Sequence, residues 1–271
     1  MIAGRALSPI FSCDINGWLI NDERLRMSTG LENLSSMEYP GRLIVLGLAR
    51  SGRPALLYAV TGRSPSSQAR KLERDGPGIW TKPTDDEILR KGNPDLLVYP
   101  AVLFFPGGVA VSNGRQTRDI AVPPGRGESS GEFLSRVLAS WEFEPDAPIF
   151  TPRISGCLLA GGGAALHIVR RAEDGAARRS VFELPLEPGR GRMIATYAGP
   201  NRNPLPTWDG PPAEVELRGD SAADLAEALY AALAPAKGFS DFRVAAACVV
   251  VEDDRFGATA VSIINRHEGK D

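Results

Sequence analysis

The amino-acid sequence predicts an α+β protein built from two mainly antiparallel sheets that pack together, with helices outside them. About ten short apolar runs, arranged mostly as hairpins, are spread along the 271 residues. Only two strong helical patterns, at 129–142 and 222–233, interrupt these runs, and they lie far apart in the chain. Strand-like runs such as 43–48 and 244–251 are apolar throughout, which indicates that both of their faces are covered.

The composition is that of an ordinary soluble globular protein, with 43% hydrophobic and 24% charged residues. A net charge of −2 provides no general attraction to nucleic acid or anionic membranes. No apolar run approaches the roughly 20 residues that span a bilayer. The isolated thiols Cys13, Cys157 and Cys248 argue against a disulfide framework and a cysteine metal site. We therefore expect a cytoplasmic protein that binds neither nucleic acid nor membranes.

Residues 1–38 are weakly patterned, and the sequence predicts that regular structure begins at Arg42. Met27 and Met37 are alternative starts, so two interpretations of this segment stay open: a gene-model extension and a disordered arm. We divide the chain accordingly into an N-terminal arm, 1–38, and a single domain, 39–271.

The strands are predicted mostly in hairpins that cross turn residues such as Ser51-Gly52 and Gly161-Gly162-Gly163. The segment 71–92 between them is mostly polar. Further strands are predicted at 54–60, 96–105, 109–112, 154–160, 165–169, 180–186, 193–197, 242–252 and 258–264.

Helix starts are predicted from capping signals. Ser129 with Glu132 forms a capping box at the start of the first long helix, and Ser221 caps the second. A third capping box, Thr84 with Glu87, predicts a short helix over 85–91.

Three polar clusters, at 61–70, 92–99 and 111–117, adjoin apolar runs. Polar loops at strand ends are where a β-rich scaffold usually places its chemistry, so we interpret the clusters as one site for anions and amides. Two histidines, His167 and His267, offer almost no material for a catalytic triad or a zinc site. A phosphate-binding loop motif is also missing. Catalysis would therefore depend on Arg, Tyr, Glu, Asn and hydroxyl groups, and we expect neither a metal nor a cofactor.

Five motifs occur in a fixed order, and together they resemble the archaeal-type IMP cyclohydrolase family from about residue 39 to residue 264. The motifs are Tyr39-Pro-Gly-Arg42, Gly62-Arg63-Ser64 to Arg70, Gly92-Asn93-Pro94 to Tyr99, Val111-Ser-Asn-Gly114 to Thr117, and Thr151-Pro-Arg-Ile154. The resemblance implies a four-layer αββα sandwich of the Ntn-hydrolase type. It also implies the last step of purine synthesis, in which 5-formamidoimidazole-4-carboxamide ribonucleotide (FAICAR) closes to IMP with loss of water. We also expect a homo-oligomer.

The same resemblance assigns catalytic positions to Arg70, Tyr99 and Glu144, although the nearby Glu142 leaves the register of the carboxylate open. Tyr99 would act on the formyl oxygen, and Glu144 would accept a proton or orient a partner. The expected substrate-binding residues are Arg42, Arg63, Ser64, Asn93, Ser112, Asn113, Gly114, Thr117 and Arg153.

The chain departs from the shorter archaeal pattern at the N-terminal arm, in the longer segment 71–92 and in a loop rich in Pro, Asn and Gly at 199–212. An Ntn-type nucleophile exposed by cleavage before Cys13 is disfavoured, because this residue lies well ahead of the first matching strand. Two other functions stay open: a paralogue that acts on another formamido or amidine substrate, and a non-catalytic module that binds purine nucleotides.

Overall fold

The computed structural model describes residues 29–85, 87, 98–253 and 256–268, which contain two seven-stranded sheets. The strands are β1 Thr29–Gly30, β2 Arg42–Leu48, β3 Pro54–Thr61, β4 Arg70–Asp75, β5 Gly78–Pro83, β6 Tyr99–Phe105, β7 Gly108–Ser112, β8 Arg153–Leu159, β9 Gly163–Arg171, β10 Ala177–Glu183, β11 Arg190–Ala195, β12 Ala213–Glu216, β13 Arg243–Val251 and β14 Thr259–Asn265. The helices are a 3-10 helix at Leu31–Ser36, α1 Pro65–Gln68, α2 Thr117–Ile120, α3 Ser130–Val137 and α4 Ala222–Ala232.

The two sheets differ in how the chain passes through them. The first sheet has the order β1-β12-β11-β2-β3-β13-β14 and is antiparallel except where β1 runs parallel to β12. The second sheet is an antiparallel meander in the order β10-β9-β8-β7-β6-β5-β4. Both sheets are therefore mainly antiparallel, as the hairpin pattern predicted.

The central strands of the first sheet, β2, β3 and β13, are buried on both faces. Ile44 and Leu46 of β2 point into the core between the two sheets, whereas Leu43 and Val45 point outward into a second core beneath α4. This alternation follows from the period of two along a strand. It confirms the prediction from the uninterrupted apolar runs that these strands are covered on both sides.

A third core covers the outer face of the second sheet. Phe133 and Leu134 of α3 pack there against Cys157 of β8 and Ala165 of β9. Helices thus lie on the outer faces of both sheets, and the α+β sandwich predicted from the sequence is confirmed.

Side-chain caps begin the two longer helices as predicted. Ser129 and Glu132 form the capping box of α3, and Ser221 accepts a hydrogen bond from the Asp224 backbone at the start of α4. However, α3 ends at Val137, so the prediction that it reaches residue 142 is wrong. The carbonyl oxygens of residues 141 and 142 accept hydrogen bonds from two arginine side chains and take no part in a helical ladder.

The strand pattern of one hairpin is not apparent from the sequence. The polar segment from residue 71 contains the hairpin β4–β5, in which Lys71 and Lys82 both pair with Glu73 while Leu72 and Ile79 reach the central core. These charged pairs, of which Lys82–Glu73 joins the two strands, hide the strand pattern in a composition that looks like a loop. Most of the predicted helix at 85–91 lies outside the described residues.

Regular structure also begins before Arg42. Strand β1 pairs with β12, and Leu31 and Leu34 of the 3-10 helix are buried in the core beneath α4. Residues 1–28 lie outside the described residues, so the boundary between arm and domain stays a prediction. None of the helices in the described part of the chain is long and apolar enough to span a membrane.

Candidate active site

A cavity of about 240 Å³ opens where the starts of three strands meet a loop that follows α3. Arg42 is the first residue of β2 in one sheet, while Arg70 and Tyr99 are the first residues of β4 and β6 in the other. Glu144 comes from the loop before β8. The cavity is lined by Tyr39, Gly41, Arg42, Arg63, Ser64, Ser67, Arg70, Tyr99, Asn113, Glu144, Asp146, Ile149, Thr151, Thr196, Tyr197 and Leu205.

Tyr99 is held at its backbone and at its hydroxyl. Its N–H donates to Thr81 Oγ1 at 3.2 Å, and its carbonyl oxygen accepts from the same hydroxyl at 3.2 Å. Its phenol oxygen accepts a hydrogen bond of 3.1 Å from Arg42 Nε and lies 3.1 Å from the hydroxyl oxygen of Tyr58. The ring is only 2% exposed, so the phenol position is set by the protein.

Arg42 is built into the frame of the site. Its Nη1 donates to the Thr61 carbonyl at 3.0 Å, and its backbone N–H donates to Thr196 Oγ1 at 3.2 Å. Burial lowers the pKa of this guanidinium, but the surrounding phenols, first Tyr99 and then Tyr58, outweigh it, so the pKa is raised overall. Arg42 is therefore a fixed positive charge beside Tyr99.

Arg70 is the less satisfied of the two guanidinium groups. Burial and the neighbouring charge of Arg42 lower its pKa to about 10. Its Nε is buried and has no hydrogen-bond partner among the residues that the structure describes. Because a buried donor without a partner is costly, an acceptor on a ligand would complete this side chain.

The electrostatic surroundings favour loss of a proton from Tyr99. Burial raises the pKa of its phenol, but the charges of Arg42 and Arg70 and the hydrogen bond shared with Tyr58 outweigh it, and the pKa is lowered. Burial and the neighbouring Tyr99 raise the pKa of Tyr58. Of these two phenols, Tyr99 is therefore the stronger acid, and it is the one that faces the cavity.

Glu144 is held by a two-pronged ion pair on the opposite side of the cavity. Its Oε1 lies 2.5 Å from Arg153 Nη1, and its Oε2 lies 2.9 Å from Arg153 Nη2. Burial raises the pKa of Glu144, and the charge of Arg153 opposes this rise. A Cβ at Gly114 would stand 2.8 Å from Arg153 Nη1 and 3.3 Å from Glu144 Oε1, so this glycine leaves room for the pair.

Behind Glu144, the same loop carries a second carboxylate. Asp146 accepts hydrogen bonds from the Thr151 N–H at 2.7 Å and from its hydroxyl at 2.5 Å. The Thr151 hydroxyl lies 3.1 Å from the Tyr197 hydroxyl, and Tyr197 stacks on Tyr39 with ring centroids 5.5 Å apart. These contacts hold the loop against the strands.

The structure brings the three predicted catalytic residues, Arg70, Tyr99 and Glu144, to one cavity. The side chain of Glu142 is exposed and does not line it. Four of the predicted substrate-binding residues also line the cavity: Arg42, Arg63, Ser64 and Asn113. Asn93 lies outside the described residues.

Four other predicted binding residues stand behind the cavity wall. The hydroxyl oxygens of Ser112 and Thr117 lie 2.5 Å apart, and each lies 2.9 Å from the Gly114 carbonyl oxygen, so one hydroxyl donates to this carbonyl and the other donates either to it or to its neighbouring hydroxyl. Arg153 is engaged by Glu144 and by the Glu142 carbonyl. The geometry gives these residues, Gly114 included, a supporting position.

Several lining residues were not selected from the sequence. Tyr39, Thr151 and Asp146 lie within quoted motifs or beside them, so proximity to Arg42 and Glu144 was a usable signal. Tyr197 and Leu205 carried no such signal. Tyr197 is placed here by its backbone hydrogen bond to the Pro40 carbonyl, and Leu205 by the 199–212 loop, which bonds back to Ala198 through the Pro206 carbonyl. In the described part of the chain, no cluster of three or more His, Cys, Asp or Glu side chains is placed to hold a metal ion.

Comparisons with known proteins show which family the chain belongs to. The profile of the family described as IMP cyclohydrolase-like protein matches residues 39–255. The chain is 25% identical over 226 residues to an IMP cyclohydrolase of Methanocaldococcus jannaschii, a match that covers 81% of this chain and 96% of that protein. Because the family match extends over most of the 271 residues, the chain belongs to the IMP cyclohydrolase-like protein family.

Proposed function

We propose that this protein is an IMP cyclohydrolase that closes FAICAR to IMP with loss of water. The observation that carries the proposal is the meeting of two guanidinium groups, an acidic phenol and a buried carboxylate in one cavity. The family membership and the similarity to an archaeal IMP cyclohydrolase support the same reaction. The substrate is a purine-precursor nucleotide.

The reaction joins two groups that already stand on one imidazole ring. The carboxamide nitrogen attacks the formyl carbon and forms the new C–N bond. The formyl oxygen then leaves as water, with one proton from the carboxamide nitrogen and one from the formamido nitrogen. Because both groups are tethered, holding them in the reactive conformation removes much of the entropic barrier. The remaining tasks are proton transfer and stabilisation of charge on the formyl oxygen.

Tyr99, Arg42 and Arg70 are the groups that can stabilise negative charge on the formyl oxygen. Negative charge develops there during attack, and fixed positive groups in a site shielded from water stabilise such charge strongly. Arg70 has an unused donor, and Arg42 lowers the pKa of the phenol that it contacts. In the proposed mechanism, Tyr99 gives its proton to the departing oxygen.

Glu144 is placed to act as the base that accepts the proton lost by the carboxamide nitrogen. Its raised pKa makes it a better base than an exposed glutamate, and Arg153 keeps its position fixed. Arg63 and Ser64, with Ser67, line another part of the cavity and are the candidates for the 5′-phosphate.

The direct test is conversion of FAICAR to IMP by the purified protein, followed by absorbance. Tyr99→Phe and Arg70→Ala should each lower kcat/KM by about 10²-fold or more, because each removes a group that acts on the developing charge. Circular dichroism of both variants provides the control for folding. A folded protein that binds IMP in a thermal-shift assay without converting FAICAR would contradict the proposal and favour the binding module. Conversion of a different formamido nucleotide alone would favour the paralogue.

A further inference from the structure

Tyr58 stands directly behind Tyr99 and has no access to a ligand. It belongs to β3, where it pairs with Ile44 of β2 and Ala247 of β13. Its side chain is 0% exposed, lies in the core between the sheets and does not line the cavity. Its hydroxyl nevertheless lies 3.1 Å from the Tyr99 hydroxyl, which belongs to the other sheet. A buried hydroxyl at this place calls for an explanation, since a phenylalanine would fill the same core.

The hydrogen bonds around these two phenols can be assigned by counting protons. Arg42 Nε must donate to the Tyr99 oxygen, because a guanidinium has no acceptor. If Tyr99 donated to Tyr58, the Tyr58 proton would need another acceptor. The described residues offer it none besides Tyr99, so a buried O–H would be left unsatisfied, which proteins rarely tolerate. If Tyr58 donates to Tyr99, the Tyr58 proton is satisfied and the Tyr99 proton is free to turn toward the cavity.

We propose that Tyr58 is a positioning residue that donates its hydroxyl proton to the Tyr99 oxygen and thereby directs the Tyr99 proton into the cavity. It acts only through Tyr99 and touches no substrate. The inference deepens the proposed function and rests on it for its catalytic meaning, but the contact itself is a property of the unliganded protein.

The surroundings of Tyr99 support this direction of donation. Arg42 from β2 and Arg70 from β4 face the phenol together with Tyr58, while Tyr39 and Glu144 border the same cavity. Burial, then Tyr99, raises the pKa of Tyr58, which stays protonated and therefore remains a donor while Tyr99 ionises. A hydrogen bond given to the phenolate favours the ionised form of Tyr99.

The test is a spectroscopic titration that needs no substrate. In wild type, absorbance near 295 nm should show one tyrosine that ionises below the usual pH, and Tyr99→Phe should remove this transition and so assign it. Tyr58→Phe should move it to higher pH by about one unit or more, since it removes a hydrogen bond to a charged acceptor. Tyr230→Phe, which removes a phenol on α4 away from the cavity, is the matched control and should leave the transition in place.

An unchanged Tyr99 transition in Tyr58→Phe would overturn the proposal. If that variant does not fold, wild-type protein with ¹³Cζ-labelled tyrosine answers the same question by NMR. Tyr99 should then ionise first while Tyr58 stays protonated, and the reverse order would overturn the proposal.

Turnover supplies a second readout. Tyr58→Phe should lower kcat by about 10-fold with KM nearly unchanged and should move the Tyr99 limb of the pH–rate profile to higher pH. A protein that is inert toward FAICAR but shows the shifted titration would contradict the proposed function and leave this inference standing. If the protein converts FAICAR but Tyr58→Phe changes neither the pH–rate profile nor the Tyr99 transition, the proposed function stands and this inference is overturned.

Discussion

The two sides of the cavity differ in whether their charged side chains are paired with opposite charges. One side, which we call the strand wall, consists of Arg42, Arg70 and Tyr99, the first residues of three strands. Among the described residues, neither of its two guanidinium groups is bonded to a carboxylate. On the other side, the loop wall of Glu144, Asp146 and Thr151 is internally satisfied, with Glu144 paired to Arg153 and Asp146 bonded to Thr151.

This difference separates two guanidinium groups that are open to a ligand from a carboxylate, Glu144, that the protein holds in one position. The positive charges of the strand wall lower the pKa of Tyr99, and the Nε of Arg70 has no hydrogen-bond partner among the described residues. The loop wall neutralises its own charge and keeps one carboxylate in place. Groups with perturbed pKa values in a cavity are typical of functional sites, and each wall contains one: Tyr99 on the strand wall and Glu144 on the loop wall.

The largest effect should come from the carboxylate of the loop wall. Glu144→Gln keeps the size of the side chain but removes the base, so kcat/KM for FAICAR should fall by about 10²- to 10⁴-fold. The raised pKa of Glu144 also predicts an acidic limb of the pH–rate profile above the ordinary value for glutamate, and this limb should disappear with the variant.

Glu142→Gln is the matched control, because its side chain is exposed two residues away. It should keep nearly full activity. A larger loss from Glu142→Gln than from Glu144→Gln would reverse the assignment of the two carboxylates.

The next effect concerns the stability of the loop wall. Arg153→Leu leaves the Glu144 charge buried without its partner, so the free energy of unfolding should fall by about 3 kcal/mol. Arg136→Leu breaks the ion pair with Glu128 at the surface, where water and salt screen the charges, so it should cost far less stability. Urea denaturation of both variants measures the difference. Equal losses would show that the loop wall is no better shielded than the surface.

A third experiment separates the acid sensitivity of the fold from that of the site. His167 lies outside both walls, and burial together with Arg179 lowers its pKa to about 4. In the unfolded chain a histidine has a pKa of about 6.5, so between about pH 6.5 and pH 4 the unfolded chain binds a proton at His167 and the folded protein does not. This contribution is intact above about pH 6.5 and is lost as the pH falls toward 4, which amounts to about 2 kcal/mol by pH 5.

His167→Leu should therefore flatten the loss of stability between pH 7 and pH 5 without moving the acidic limb of activity. Denaturation midpoints across this range provide the measurement. Parallel pH curves for the variant and wild type would show that His167 titrates in the folded protein as it does in the unfolded chain, and would contradict the lowered pKa.

The smallest effect compares the two arginines of the strand wall. Arg70→Met removes a buried charge that has an unused donor and is repelled by Arg42, so stability should stay unchanged or rise by up to about 1 kcal/mol. Arg42→Met removes bonds to Tyr99 and Thr61 and should lower stability by about 1 kcal/mol or more. Thermal unfolding of the two variants measures the sign. A loss in both would mean that Arg70 is part of the frame and not a group held ready for a ligand.

The outline of the site could be predicted from the sequence because its motifs are local. Arg42 and Tyr99 each stand in a short motif at the edge of an apolar run, Glu144 was assigned through the resemblance to the family, and the structure places all three around the cavity. Tyr58 could not be found in this way. It reads as one more apolar strand residue, and its role appears only where β6 of the opposite sheet places a second phenol against it.

The layers and the starts of the two longer helices follow from the sequence alone. Runs that are apolar on both faces require cover on both sides, and the boxes at Ser129 and Ser221 begin helices through contacts within four residues. Only the tertiary structure decided which polar residues face the cavity and which support it. Arg153 and Arg70 are both arginines at strand starts, yet one is neutralised by Glu144 and the other is not. Their difference depends on how two sheets and a loop meet, and no local pattern carries that information.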